Sequence, residues 1–184
     1  MAAPQRRWAA ELLHFWFHTL GPRVWFAPDP RADAMLRRRF ERELTRLGTR
    51  PADEFLTDPQ TALAAVLLFD QLPRNFYRKS PRAFAFDPLA RSIAKGALAR
   101  GWDAALTLAQ RQFLAMPLMH SEQIADQRAS LAIYARLGRR YGRPFAVSHH
   151  RMIARFGRFP HRNAVLGRVG TDAERRAVAR GFAW

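Results

Sequence analysis

The sequence contains no cysteine. This absence excludes a disulfide framework, a thiolate metal site and a cysteine nucleophile, and it fits a reducing compartment. Long hydrophobic runs are also missing, because the longest uncharged apolar segment, residues 59–69, is too short to span a bilayer. Glu11 and His14 interrupt the apolar start of the chain, and no small-residue cleavage site follows it, so this segment is interpreted as a mature helix. The expectation is a soluble, cytoplasmic protein without a membrane interaction.

A strand-forming pattern is missing as well. No stretch alternates apolar and polar residues, and the sequence has no Asn-Gly or Asp-Gly pair of the kind that closes tight hairpins. Apolar residues instead recur at intervals of three and four, as on one face of a helix, for example Met35, Leu36, Phe40, Leu44 and Leu47. Since 184 residues suffice for one self-contained core, the sequence predicts a single all-α domain over residues 1–184. About eight helices joined by short links are expected.

Most helix starts are marked by an N-cap residue, and several of these residues precede a proline, which suits the first helical turn. The predicted N-caps are Asp29, Asp58, Ser80, Asp87, Thr107, Ser121 and Thr171. Thr171 has Glu174 three residues later, which is the spacing of a capping box, and the last helix is expected to reach Phe182 and Trp184. Pro73 is expected to stop the helix that begins near residue 59, because proline lacks a backbone N–H.

Lysine and acidic residues are scarce. Only Lys79 and Lys95 are lysines among 31 basic residues, and the formal net charge is +16. From residue 128 onward, thirteen arginines accompany only Asp172 and Glu174. One interpretation is affinity for nucleic acid or an anionic surface. The other is a GC-rich coding bias that raises arginine wherever the surface tolerates it. Nucleic acid is therefore a possible but not a favoured partner.

Residues 149–168 combine five arginines, three histidines and an asparagine with Phe156 and Phe159. A surface segment does not need aromatic residues at this density, and a core segment cannot bury so many cations without partners. The pattern favours a half-buried segment whose cations and amides converge on an anion. The ligand-binding candidates from this segment are Arg155, Arg158, Arg162, Asn163 and Arg168.

A second polar cluster follows the apolar helix, in residues 69–78. Its ligand-binding candidates are Asp70, Gln71, Arg74, Asn75 and Arg78. The alternative is a buried structural network in which Asp70 pairs with one of the two arginines. In both clusters an apolar residue and a proline precede an Arg-Asn pair, at residues 72–75 and 159–163. This similarity is a weak indication that the two turns face one pocket.

Three residues are candidates for acid–base catalysis, namely His120, Glu122 and His161. His120 and Glu122 flank a predicted helix start, where a neutral histidine beside a carboxylate is able to transfer protons. The alternative is that His120 only donates to a neighbouring carbonyl. His14 and His18 have the four-residue spacing of helical metal ligands, but no third ligand is close in sequence. No metal and no cofactor are therefore predicted.

Several motifs together resemble a known family, the bacterial domain of unknown function 924. The matching pieces are FWF at residues 15–17 with Trp25 and Phe26, FDQLPRNFYR at 69–78, PLMHSE at 117–122, and FGRFPHRNAVLGR at 156–168 followed by Thr171 and Glu174. The resemblance implies an all-helical fold similar to tetratricopeptide repeats and carries no established activity. His14, His18 and the arginine-rich residues 136–143 lie outside the matching pieces.

Three functional hypotheses follow from these observations. The first is a helical binding module whose pocket holds an anionic small molecule or a peptide, since arginine forks and amides suit a carboxylate or phosphate. The second is an enzyme that uses His120 or His161 as base, with Glu122 as its partner, on an anionic substrate. The third is nucleic-acid binding by the basic C-terminal part. The sequence predicts no particular oligomeric state.

Overall fold

A computed structural model describes residues 7–182 of the chain as a set of helices without β-strands. The prediction of an all-α fold is therefore confirmed for these residues, which form nine helices when α4 and α5, joined end to end, count as one. The helices are α1 Arg7–His14, α2 Pro22–Trp25, α3 Pro30–Leu47, α4 Pro59–Val66, α5 Leu72–Phe76, α6 Asp87–Ala99, α7 Leu108–Met119, α8 Ile124–Leu137, α9 Arg143–Phe156 and α10 Asp172–Ala179. The tetratricopeptide-like arrangement stays a prediction. Trp184, expected in the last helix, lies outside the described residues.

Helix starts follow the capping signals in the sequence. The carboxylate of Asp29 accepts from two backbone N–H groups at the start of α3, and Asp58 does the same for α4. Thr107 and Thr171 each form a complete capping box. Two predicted caps act differently. Ser121 lies before α8, where its Oγ accepts from the backbone N–H of Gln123, and the carboxylate of Asp87 pairs with Arg74 instead of capping α6.

The α4 helix forms the centre of the main core. All residues from 62 to 69 are inaccessible to solvent, because α4 packs against α1, α6 and α7. Further along the chain, α7 packs against α8 and α8 against α9. Trp25 and Phe26 fold back on this core, with ring centroids 5.0 and 5.9 Å from that of Phe113. Within residues 7–182, no helix is long and apolar enough to cross a membrane.

A second, smaller core holds the C-terminal part. Met152 and Ile153 of α9 pack there with Phe159 and with Ala177 of α10. The α10 helix also contacts the short 3₁₀ helix Pro160–Arg162. This arrangement places the turn of residues 159–163, called the second turn below, between α9 and α10.

The prediction that a helix stops near Pro73 is wrong. A π-helical turn, Leu67–Gln71, leads directly from α4 into α5, and the chain stays helical to Phe76. The wider turn accommodates Pro73 because the proline falls in the first turn of α5, where its missing N–H is not needed. The same turn directs Asp70 and Gln71 into the protein interior.

Candidate functional site

The centre of the candidate site is a buried pair of Asp70 and His120. The Asp70 carboxylate oxygens lie 2.8 and 3.0 Å from Nδ1 of His120, although the residues are 50 positions apart in sequence. Gln71 donates to the same carboxylate at 2.5 Å. Asp70 comes from the π-helical turn, and His120 directly follows the last residue of α7.

Protonation states follow from these contacts. Burial raises the pKa of Asp70, but the positive charge of Arg74 and the contact with His120 outweigh it, so the pKa lies well below its usual range. An ionised carboxylate only accepts hydrogen bonds, so Nδ1 of His120 carries the hydrogen that is donated to Asp70. Burial lowers the pKa of His120, and the positive charges of Arg74 and Arg162 act in the same direction, so the pKa lies below its ordinary value although Asp70 raises it. His120 is therefore neutral at pH 7, with its lone pair on Nε2. That nitrogen makes no hydrogen bond to residues 7–182, and the side chain is 14% exposed.

Arg74 connects Asp70 to the start of α6. Its guanidinium donates two nearly parallel hydrogen bonds to Asp87, at 2.8 and 2.9 Å. It also donates to the backbone carbonyl of Asp70 and lies 3.3 Å from that residue's carboxylate. Such bidentate pairs fix both partners in orientation. The guanidinium of Arg74 is thus hydrogen-bonded to protein groups through both Nη1 and Nη2.

Arg162 is different, because it is buried without a hydrogen bond. Its guanidinium carbon lies 4.7 Å from the ring centroid of Phe84 and 4.5 Å from that of Phe159. Its side chain is only 7% exposed, and Nη1 lies 3.6 Å from the Asp87 carboxylate. None of the residues from 7 to 182 accepts a hydrogen bond from its guanidinium. Of the three guanidinium nitrogens, only Nε is inaccessible to solvent. Burial and the like charge of Arg74 lower its pKa to about 10.

Two further histidines connect the pair to the second turn. The centroid of the His149 ring lies 6.2 Å from that of His120 and 5.3 Å from that of Phe159, and the centroid of the His161 ring lies 5.6 Å from that of Phe159. Burial lowers the pKa of His149 to about 3 and that of His161 to about 4, with the positive charge of Arg162 acting in the same direction. Both histidines are therefore neutral at pH 7.

Glu122 does not serve as the partner of His120, which corrects the pairing expected from sequence. Its carboxylate accepts two hydrogen bonds from Arg168, at 2.7 and 3.0 Å, and one from the backbone N–H of Phe159 at 2.8 Å. Although burial raises the pKa of Glu122, the contact with Arg168 lowers it overall. Glu122 therefore fixes the second turn against the segment after α7, and Asp70 is the carboxylate that orients His120.

Other predicted site residues lie away from this cluster. Asn75 and Arg78 both donate to the Asp33 carboxylate of α3. Arg158 and Asn163 both contact Glu174 at the start of α10. Arg155 lines a groove between α9 and α10. The structure brings together a smaller set of the predicted residues, namely Asp70, Gln71, Arg74, His120, Glu122, His161, Arg162 and Arg168.

Three members of the cluster were not among the candidates. They are Asp87, which the sequence predicts as an N-cap, His149 of the segment 149–168, and Phe84. No local signal distinguishes them, because Asp87 binds Arg74 from 13 positions away and Phe84 contacts Arg162 across the fold. Only tertiary packing, of α6 against the π-helical turn and of α9 against α7, brings Asp87 and His149 to the site.

A cavity of about 450 Å³ opens beside the cluster, between the second turn and α10. Its lining residues include Pro160, His161, Asn163, Arg168, Glu174 and Val178. The cavity has the size of a small-molecule pocket and combines apolar walls with polar groups from the second turn. His161 and Arg168 belong to both the cluster and this cavity.

The two histidines near the N-terminus lie far from this site in the sequence and form a stack with each other. The rings of His14 and His18 are 5.3 Å apart and nearly parallel. In residues 7–182, no group of three or more histidine or acidic side chains is placed to hold a metal ion.

Comparisons with known proteins agree on a family but give no activity. A family model described as "Bacterial protein of unknown function (DUF924)" matches residues 12–181. A solved structure, of the protein of unknown function ATU0120 from Agrobacterium tumefaciens, is 38% identical, with a TM-score of 0.89 over 94% of this chain and 97% of that chain. No curated protein matches the sequence significantly.

Proposed function

The chain belongs to the DUF924 family of bacterial proteins of unknown function, and from the geometry of its site we propose that it binds a small acidic metabolite or the terminal carboxylate of a peptide. The anion binds at Arg162, beside the Asp70–His120 pair. The adjoining cavity between the second turn and α10 receives the remainder of the ligand.

The observation that carries this proposal is the buried guanidinium of Arg162, which makes no hydrogen bond to residues 7–182 and has only the 3.6 Å contact with Asp87. A buried cation without hydrogen bonds is costly, and a protein retains it at that cost when a ligand supplies the missing acceptors. The rings of Phe84 and Phe159 lie over the guanidinium. Arginine held over aromatic rings keeps its in-plane N–H groups available for a carboxylate or phosphate. Arg74 and Arg168, by contrast, already have bidentate carboxylate partners.

The charges of the cluster balance before a ligand arrives. The cluster contains three carboxylates, of Asp70, Asp87 and Glu122, and three guanidinium groups, of Arg74, Arg162 and Arg168. The three histidines of the cluster are neutral and add no charge. A bound anion adds one negative charge, which favours the protonated form of His120. Binding is therefore expected to take up a proton and to strengthen as the pH falls toward the range in which His120 titrates.

The first prediction concerns Arg162. Thermal unfolding is measured with inorganic phosphate, citrate, succinate and a short acetylated peptide as probes. A probe at about 100 times its Kd stabilises the protein by about 2.7 kcal/mol, which raises Tm by about 5–10 °C. The Arg162→Gln variant is expected to lose this shift, because it lacks the guanidinium. Since the variant's own stability also changes, the ligand-induced shift is compared and not the absolute Tm.

Arg78→Gln is the matched control, because Arg78 is an arginine already paired with Asp33 outside the cluster. It is expected to keep the full ligand-induced shift. A shift that survives in Arg162→Gln, or a protein that none of the probes stabilises, contradicts the proposal.

Acid–base catalysis on the bound anion is a second candidate function, favoured by the orientation of His120. Asp70 holds Nδ1 and leaves Nε2 as a solvent-accessible base. This arrangement of carboxylate and imidazole is the one that activates water or a hydroxyl in many hydrolases. No described residue forms a nucleophile motif beside it, so the base would act on water.

The second prediction tests this base directly. Hydrolysis of p-nitrophenyl acetate and mono-p-nitrophenyl succinate is followed against pH, and the succinate ester is expected to react faster because it carries an anion for Arg162. The rate should rise with pH as His120 loses its proton, and His120→Gln should abolish this limb. The catalytic role is contradicted if His120→Gln leaves the rate of hydrolysis unchanged, or if neither ester is hydrolysed. Both outcomes leave the proposed anion binding intact.

A further inference from the structure

A second cationic feature lies on the other side of α10 from the cavity described above. A groove of about 360 Å³ runs between α9 and α10. Four of its lining residues are arginines: Arg151 and Arg155 of α9, Arg176 of α10, and Arg180, the C-cap that follows α10. On each side of the groove the two arginines are four residues apart, which places them about 6 Å apart along the axis. The groove is therefore lined by two facing rows of cations.

These arginines have no acidic partners in the part of the chain that the structure describes. None of the four makes an ion pair or a side-chain hydrogen bond with residues 7–182, and the only ring contact is that of Arg155 with the adjacent Phe156. The lining of the groove includes no carboxylate. Four unpaired cations around one concavity produce a strong positive potential.

The arginine content of the sequence does not explain this arrangement by itself. The α3 helix carries a comparable row, with Arg38, Arg42 and Arg46, but that surface includes Glu41, which pairs with Arg37 at 3.2 Å. It also lacks an apolar floor. The groove differs from this surface in both its uncompensated charge and its shape.

The floor of the groove is apolar. Met152 and Ala177 form it together with Ala173 and Phe182. A positively charged groove that tracks a backbone, combined with apolar and aromatic side chains on which bases rest, is the usual design of a site for single-stranded nucleic acid. An acidic peptide would use the arginines but not the floor. A duplex is convex and would touch only the rims, since readers of duplex DNA insert a projecting helix or ribbon.

From these observations we infer that the groove between α9 and α10 binds a segment of single-stranded nucleic acid. The arginine rows contact successive phosphates, and one base rests on the floor between the helices. This site is separate from the Arg162 cluster and is independent of the anion proposed to bind there.

Fluorescence anisotropy with a labelled oligouridylate of about 12 nucleotides tests the inference. Affinity is measured at several salt concentrations between about 50 and 300 mM. The double variant Arg155→Gln/Arg180→Gln is expected to bind at least about tenfold more weakly at the low end of this range. Its plot of log affinity against log salt should be less steep by about 1.4, because each phosphate contact to a single strand contributes about 0.7.

The control is Arg42→Gln/Arg46→Gln, which removes the same charge from the exposed row on α3. It is expected to leave the affinity within about twofold and the salt slope unchanged. Both double variants replace exposed side chains, so folding is not at risk, and thermal unfolding of each verifies this. An equal loss in the two variants would show a general effect of net charge and overturn the inference.

Three competitor probes examine the nature of the ligand. An abasic strand of the same length is expected to bind about tenfold more weakly, because it lacks the base that rests on the floor. A duplex of the same length and polyglutamate should also bind more weakly than the single strand. Equal or tighter binding of any of these probes, or no binding of the oligouridylate near 50 mM salt, overturns the inference.

Discussion

At the scale of single residues, Asp70 determines the chemistry of the site. Its carboxylate is inaccessible to solvent and is contacted by His120, Gln71 and Arg74. A buried charge is tolerated only when it is paired and hydrogen-bonded. Asp70 therefore has two roles, since it orients the His120 ring and offsets the charge of Arg74 inside the core.

The third prediction is that Asp70→Asn lowers the free energy of unfolding by about 3 kcal/mol at pH 7, because it breaks a buried charge network. The folded-state pKa of Asp70 lies below that of the unfolded chain. Its contribution is therefore complete above about pH 4 and is lost as the pH falls further. Urea unfolding at pH 7 and near pH 3.5 measures the difference between the two proteins, which should shrink at the lower pH.

Asp33→Asn is the control for this experiment, because Asp33 pairs with the largely exposed Arg78. An ion pair of that kind is expected to contribute less than about 1 kcal/mol. Equal costs for the two substitutions would mean that burial does not distinguish Asp70, contrary to the account of the site given above.

At the scale of elements, α10 is held to the rest of the protein by few tertiary contacts. Only Ala177 of this helix belongs to a buried core, and that core is small. The capping box of Thr171 and Glu174 begins the helix, and Arg158 binds the Glu174 carboxylate, which lowers the pKa of Glu174 to about 2. Because α10 forms one wall of both the cavity and the arginine groove, these few contacts position two proposed sites.

The fourth prediction is that Thr171→Ala loosens α10 alone. Loss of the cap costs about 1 kcal/mol, so amide hydrogen exchange in α10 should become about fivefold faster while exchange in α4 stays unchanged. Mass spectrometry of peptides from the two helices measures this. Thr107→Ala removes the same kind of cap from α7, whose residues are mostly buried, and should instead lower global stability. Uniform acceleration in Thr171→Ala would contradict the independence of α10.

At the scale of the whole molecule, buried histidines make stability depend on pH. Burial lowers the pKa of His149 to about 3, whereas the unfolded chain binds the proton near 6.5. Between these values the unfolded state holds more protons, so stability falls as the pH decreases. His161, with a pKa of about 4, acts in the same direction.

The fifth prediction is that the titration of His149 alone lowers the free energy of unfolding by about 2 kcal/mol when the pH falls from 7 to 5. In His149→Phe, which keeps the aromatic contact with Phe159, the loss of stability over this range should be smaller by that amount. Urea unfolding at the two pH values measures it, and His18→Phe, at an exposed position, is the control. A pH dependence identical to that of the unsubstituted protein would contradict the proposed titration of His149.

Features encoded within a few residues were predicted correctly. The caps at Asp29, Asp58, Thr107 and Thr171 begin helices as expected, because an N-cap contacts backbone groups only two or three positions away. The apolar run after residue 59 is buried, as its composition indicated. Pro73 was misinterpreted, because the π-helical turn that accommodates it has no recognisable local signal.

Sequence by itself thus determined the helical class, most helix starts and the family. Only the tertiary structure decided the pairing within that site: His120 binds Asp70 from 50 positions away, and Glu122 binds Arg168 from 46 positions away. Helix capping and periodicity are local and depend on neighbouring residues. Ion pairs between distant segments depend on how whole helices pack, and this packing also leaves Arg162 as the buried cation without a hydrogen-bond partner among the described residues.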